Sequence, residues 1–149
     1  MKTISLVTGA NGLLGNTLVR ELINLGENVR ASVRDIHNKK PFEGLDCEVV
    51  YADILDKKSL IEAMQGVGIL YHVAAVFKHW SEDPEKEIIE ANLTGTRNVL
   101  EAAAESGVKK VVYVSSMAAL DRTKTPMNEK SWGTTFPNPY TKQRMMRKN

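Results

Sequence analysis

A run of spaced glycines, Thr8-Gly9-Ala10-Asn11-Gly12-Leu13-Leu14-Gly15, separates the apolar stretch Ile4-Ser5-Leu6-Val7 from a segment in which Leu14, Leu18, Leu22 and Ile23 recur at helical spacing. That order reads as a strand, a tight turn and a helix. Gly9 lets the backbone turn, Gly12 lets the main chain approach a pyrophosphate, and Gly15 lets the helix pack closely on the strand. The helix start offers unpaired N–H groups to phosphates, so the run predicts a nucleotide site built from Gly9, Asn11, Gly12, Leu13, Leu14 and Gly15. The alternative is a glycine-rich turn that binds nothing.

Beyond this turn, short β-rich runs alternate with longer segments of helical period, the pattern of parallel β-α-β units. Strands are expected at about residues 3–8, 28–33, 47–51, 68–73 and 110–115, and helices at about 13–25, 57–65, 85–106 and from 139 onward. The fold class is therefore α/β, a Rossmann-type doubly wound parallel sheet of five strands in the order 3-2-1-4-5. The apolar runs Ile69-Leu70-Tyr71 and Val111-Val112-Tyr113-Val114 then read as strands covered on both faces. With 149 residues, 42% of them hydrophobic, the chain suits one domain over 1–149. Its net charge of +2 gives no general argument for nucleic acid or acidic membranes as partners. The single cysteine, Cys47, forms no intramolecular disulfide, and the start Met1-Lys2-Thr3-Ile4 leads straight into a strand, so a cytoplasmic protein without a membrane span is expected. Residues 121–139 carry Pro126, Pro137 and Pro139 and read as a long loop.

Open α/β sheets bind ligands at the carboxyl ends of their strands. After the second strand stands Arg34, whose planar fork suits a 2′-phosphate and so favours NADP over NAD; Asp35 beside it argues the other way. Lys39 and Lys40 add charge near the same phosphate or are simply solvated. Asp53, after the third strand, is placed to accept from an adenine amino group, unless it caps the next helix, a task open also to Asp56. His72-Val73-Ala74-Ala75 closes the fourth strand with small residues that let a cofactor lie against the backbone, and His72 reads as packed rather than catalytic. Asn92 lies inside a helical segment, where its amide bridges backbone groups, holds a water, or merely faces solvent. Metal-ligand spacing is not evident.

These residues together resemble the extended short-chain dehydrogenases/reductases, the NAD-dependent epimerase/dehydratase family. The resemblance rests on the glycine run, Asp53-Ile54, His72-Val73-Ala74-Ala75, Asn92-Leu93-Thr94-Gly95-Thr96, Val114-Ser115-Ser116 and Asn138-Pro139-Tyr140, in that family's order and spacing. The wording Val29-Arg30-Ala31-Ser32-Val33-Arg34-Asp35 is most similar to the dihydroflavonol reductase branch. The resemblance implies a cofactor site drawing on Gly9, Asn11, Gly12, Leu13, Leu14, Gly15, Arg34, Asp53, Ile54, Val73, Ala74, Ala75, Asn92, Val114, Ser115, Tyr140 and Arg144. It implies catalysis by Ser116 and Tyr140, the tyrosine exchanging a proton with a carbonyl oxygen that the serine orients.

The family places a lysine four residues beyond the tyrosine, and here that position is Arg144. Arginine keeps the charge but is wider and cannot relay a proton. Lys142 does not substitute, since two residues along a helix turn the side chain by about 200°. Family members also continue well beyond the tyrosine helix, so the chain reads as a truncation, a frame-shifted tail or a natural short form, ending in the basic, methionine-rich Gln143-Arg144-Met145-Met146-Arg147-Lys148-Asn149. A fifth strand left as a sheet edge and uncovered apolar surface, with Ile88, Ile89, Leu93, Val99, Leu100 and Ala102-Ala103-Ala104 on the long helix, then predict a homo-oligomer such as a homodimer, or else a marginally stable monomer. Phe77, His79, Trp80 and Trp132 are expected to wall the cleft. Three functions follow: NADP-dependent reduction of a ketone or aldehyde, NAD-dependent epimerisation or dehydration of a nucleotide sugar, or dinucleotide binding without turnover.

Overall fold

A computed structural model describes residues 3–76, 80–121, 123 and 125–132. Tyr140, Lys142, Arg144 and the expected helix from 139 onward lie outside them, as do Phe77 and His79. By contact the chain forms two units, one of residues 1–75 with 95–114 and one of residues 76–94 with 115–149.

The first unit carries the sheet. Its strands are β1 (Ile4–Thr8), β2 (Asn28–Val33), β3 (Glu48–Tyr51), β4 (Val67–His72) and β5 (Lys110–Tyr113), ordered β3-β2-β1-β4-β5. All four pairings are parallel, as the alternation of strand and helix predicts. Successive side chains of β1 feed opposite faces. Leu6 joins a core with Leu60, Met64, Leu70, Val99, Ala102 and Ala103, contributed largely by α2 (Lys57–Ala63) and α3 (Ala91–Glu105). Val7 joins the other core, with Val19 and Leu22 of α1 (Leu13–Asn24), Val29, Ala31, Val33 and Phe42. Leu6, Val7 and Leu70 are wholly buried, each contributing about 1.5–3 kcal/mol.

The structure defines the apolar face of α1 and corrects one expectation, that for β5. The buried stripe of α1 is Gly15, Val19 and Leu22, while Leu14 is exposed. Gly15, lacking a Cβ, takes the position nearest the turn and rotates Leu14 outward. The run Val111-Val112-Tyr113 is not covered on both faces: β5 pairs only with β4, is the last strand among the described residues, and leaves Val111 exposed.

The long helix expected over about residues 85–106 is present, with its first part, Glu85–Glu90, wound as a wide π-helical segment directly ahead of α3. The Asn92 side chain donates to the Ile88 carbonyl at 2.8 Å, one turn back, competing with the regular ladder there. Of the residues named for pairing with a second copy, Ile88, Ile89, Val99, Ala102 and Ala103 are already buried within the chain. Leu100 and Ala104 face outward. Lys57 ties α2 to α3 through Glu101 (2.8 Å) and Glu105 (2.7 Å). These hydrogen bonds raise the Lys57 pKa, and the bond from Lys57 lowers that of Glu101.

In the second unit a short helical turn, Met117–Ala119, is followed by an antiparallel bridge between Leu120 and Trp132. The expected loop after residue 120 is thus closed on itself, with the Asp121 N–H donating to the Ser131 carbonyl at 2.8 Å.

Candidate functional site

Parallel pairing brings the carboxyl ends of all five strands to one edge, and the glycine turn leaves β1 there. Each glycine has a distinct reason. Gly9 adopts φ +66°, and a Cβ on it would sit 2.9 Å from the Ala74 Cα. A Cβ on Gly15 would lie 2.2 Å from the Gly9 carbonyl oxygen, so the helix packs on the turn itself, closer than any side chain permits. Gly12 differs: its φ is −78°, and its Cβ would meet only the Gly9 oxygen, at 3.4 Å. The space beside Gly12 is open, which fits a pyrophosphate lying against the backbone. Gly12 also begins α1 without a capping side chain, and no acidic residue occupies the first turn. The positive end of the helix dipole is therefore not neutralised by the chain's own acids. Leu13 is 91% exposed beside it.

The sequence passes over the residue that ties this turn to its neighbour. Thr8 Oγ1 accepts from the Val73 and Ala74 N–H groups, each at 3.1 Å, and lies 3.0 Å from His72 Nδ1. With both acceptor positions filled, the hydroxyl proton points to the ring nitrogen. His72 is buried, as expected, with its ring 5.5 Å from that of Tyr113. The small residues Val73, Ala74 and Ala75 thus follow β4 in a fixed path beside Gly9.

On the other side of β1, Arg34 stands exposed just past β2 and forms no hydrogen bond or ion pair with a described residue. Asp35 is occupied: its Oδ1 accepts from the His37 N–H at 3.0 Å. Asp53 spends Oδ1 on the Leu55 N–H at 2.9 Å. Capping of α2 belongs to Asp56, which accepts from the Lys58 and Ser59 N–H groups. Ile54 is held by α3, since a Cβ on Gly95 would strike its Cδ1 at 2.5 Å and Asn98 donates to its carbonyl at 3.0 Å. A glycine in mid-helix was the sequence signal for that close approach.

In the second unit Asn92 is fully buried and bridges backbone groups, accepting from the Val76 N–H and donating to the Val76 carbonyl, both at 2.8 Å. Of the three readings open to it, solvent exposure is ruled out. An Asn92→Ala chain should lose about 1–3 kcal/mol in denaturant unfolding, because the part-buried Val76 N–H and carbonyl lose these two bonds. Val114 donates its N–H to the His72 carbonyl at 3.1 Å, and Ser115 and Ser116 follow it in sequence. Ser116 is half-buried and its carbonyl accepts from the Ala119 N–H at 3.0 Å. Trp80 and Trp132 are exposed.

One other place is chemically unsuited to a dinucleotide. A groove lined by Ile23, Gly26, Glu27, Asn28, Asp46, Cys47 and Glu48 sits at the amino ends of β2 and β3, where three carboxylates repel phosphate. Burial, and then the Asp46 charge, push the Cys47 thiol up and away from the reactive thiolate. No group of three potential metal ligands occurs among the described residues, and no helix among them is long and apolar enough to cross a membrane.

Comparison with known proteins agrees with this arrangement. Residues 6–147 match the 3-beta hydroxysteroid dehydrogenase/isomerase family. Sterol demethylase protein B of Methylococcus capsulatus is 38% identical over 137 residues, covering 92% of this chain and 42% of that protein. A putative dihydroflavonol 4-reductase of Synechocystis is 40% identical over 114 residues, covering 76% of this chain and 33% of that protein. The structure of Gre2 from Candida albicans in complex with NADPH superposes with a TM-score of 0.82 at 25% identity, covering 98% of this chain and 50% of that one. The chain thus spans half or less of the length of each of these relatives. It belongs to the 3-beta hydroxysteroid dehydrogenase/isomerase family, among the extended short-chain dehydrogenases/reductases.

Proposed function

We propose that residues 1–149 form the cofactor-binding domain of an NADP-dependent oxidoreductase that reduces a ketone or aldehyde. The observation that carries this reading is the pairing of an open, uncapped glycine turn at Gly12 with an unengaged Arg34 on the neighbouring strand end. The turn and first helical N–H groups suit a pyrophosphate, and Arg34 suits a 2′-phosphate. Asp35, with one oxygen committed to its own turn, is a poorer acceptor for a ribose hydroxyl, which supports NADP over NAD. Asp53 and Ile54 suit the adenine, and Val73, Ala74 and Ala75 let the cofactor lie along the backbone.

When bound, the nicotinamide supplies hydride. The chain's own residues supply the proton and the orientation. In reduction Tyr140 donates its phenolic proton to the carbonyl oxygen, and Ser116 donates a hydrogen bond to the same oxygen. Tyrosine ordinarily titrates near about 10, so a neighbouring cation is needed to favour the phenolate, and Arg144 takes that place. Arginine there is also what favours the second reading, a chain that holds dinucleotide but turns over slowly. A small carbonyl compound is the proposed substrate, a nucleotide sugar the alternative.

The test is selectivity. Replacing Arg34 by Ser should weaken NADPH binding roughly 10- to 100-fold while leaving NADH affinity nearly unchanged, measured by fluorescence titration of both. Equal loss for both nucleotides would remove Arg34 from the 2′-phosphate site.

A further inference from the structure

The segment after β2 is fastened to α1 by polar contacts that no part of the cofactor reading requires. Asn16 Nδ2 donates to the Pro41 carbonyl at 2.9 Å, and Arg20 Nη2 donates to the same oxygen at 3.2 Å. Arg20 Nε donates to Asn16 Oδ1 at 2.9 Å, which closes a three-cornered network. Pro41 lies in a short 3-10 turn, Lys40–Phe42, whose Phe42 is buried in the core beside Val19 and Leu22. The Phe42 N–H donates to the Lys39 carbonyl at 2.9 Å, and the Lys39 N–H to the His37 carbonyl at 3.0 Å. The backbone from His37 to Phe42 is thus held stepwise and then pinned to the first two turns of the helix that begins at Gly12.

The exposed side chains on this segment are cationic. Lys39 and Lys40 are exposed, and neither forms an ion pair with a described residue. The backbone that carries these two cations is held, so both side chains stay available to a bound dianion, which attracts them. Arg20 itself has Nε and Nη2 committed to the brace, so it braces the segment from the side rather than pointing a free fork at a ligand.

We propose that Asn16 and Arg20 are positioning residues for cofactor selectivity: they hold the Lys39-Lys40 segment against α1 so that its cations meet the 2′-phosphate read by Arg34. The proposal rests on the NADP reading above and adds to it a source of selectivity on α1. A preorganised cationic segment gains affinity because less ordering remains to be done on binding. The dinucleotide core, held by the glycine turn, does not depend on the brace.

The experiment compares 2′,5′-ADP with 5′-AMP, and NADPH with NADH, by titration of the wild-type chain and of Asn16→Ala and Arg20→Met. Thermal unfolding of each variant is recorded alongside. The expected result is a loss of roughly three- to tenfold in 2′,5′-ADP and NADPH affinity, with 5′-AMP and NADH unchanged. The difference between the two ligands should shrink on raising the salt in wild type and shrink less in the variants. Retained wild-type preference in both variants would overturn the proposal, as would an equal loss for phosphorylated and unphosphorylated ligands, which marks a purely structural brace. A wild-type chain that binds both ligand pairs without preference would instead overturn the NADP reading itself, and Arg34→Ser would then change neither.

Discussion

Gly15→Ala is expected to destabilise the chain by about 2–4 kcal/mol, even though alanine is the better helix former. The added methyl would stand 2.2 Å from the Gly9 carbonyl oxygen, a backbone atom in a turn that is itself fixed by Ala74. Moving helix α1 outward to make room also unpacks Val19 and Leu22 from the second core. Gly9→Ala should cost a comparable amount for a different reason, since φ +66° disfavours a Cβ by about 1–2 kcal/mol and the methyl meets the Ala74 backbone at 2.9 Å. Gly12→Ala should be nearly neutral, within about 0.5 kcal/mol, because its backbone is extended and its Cβ meets only one atom at 3.4 Å. Urea unfolding of the three variants checks the ordering. A Gly15→Ala chain as stable as wild type would mean that the helix does not pack on the turn as described.

Thr8→Val should cost about 3 kcal/mol while preserving shape almost completely. Valine removes the acceptor of the part-buried Val73 and Ala74 N–H groups and a contact of His72 Nδ1, at a site where Thr8 is 2% exposed. Thr8→Ser keeps the hydroxyl and should retain most of the stability, losing only about 1 kcal/mol for the methyl group. The pair of variants separates hydrogen bonding from packing. Because Ala74 lies against Gly9, Thr8→Val should also weaken dinucleotide binding, whereas Thr8→Ser should not. Equal stability of the two variants would show that the hydroxyl network carries little free energy.

How far the sequence speaks differs from residue to residue. The sheet order was legible because alternating strand and helical periods leave few parallel arrangements, and the glycine turn was legible because its spacing answers three separate steric demands. The face of α1 is not legible from periodicity at its start, since periodicity ranks Leu14 above Gly15 while the packing surface there needs the residue with no Cβ. The apolar run of β5 looked like a covered strand because composition does not report which strand is last in the sheet. Asn92 was visible only as an odd residue in a helix; its bond to Val76, 16 positions away, depends on tertiary structure. Thr8, Gly95, Asn98, Asn16 and Arg20 went unassigned for the same reason, as their partners lie 21 or more positions distant. The reactive-end residues Tyr140 and Arg144 are implied by the family resemblance and lie outside the described residues.

The most direct test of the account is nucleotide binding by the chain itself. Wild type and Gly12→Val are titrated with NADPH and NADH while nucleotide fluorescence and thermal unfolding are followed. Wild type should bind NADPH in preference to NADH with a rise in Tm, and Gly12→Val should unfold at nearly the wild-type temperature but bind neither, its side chain filling the space beside the turn. A folded wild-type chain that binds neither nucleotide, or a Gly12→Val chain that binds as wild type does, would contradict the account.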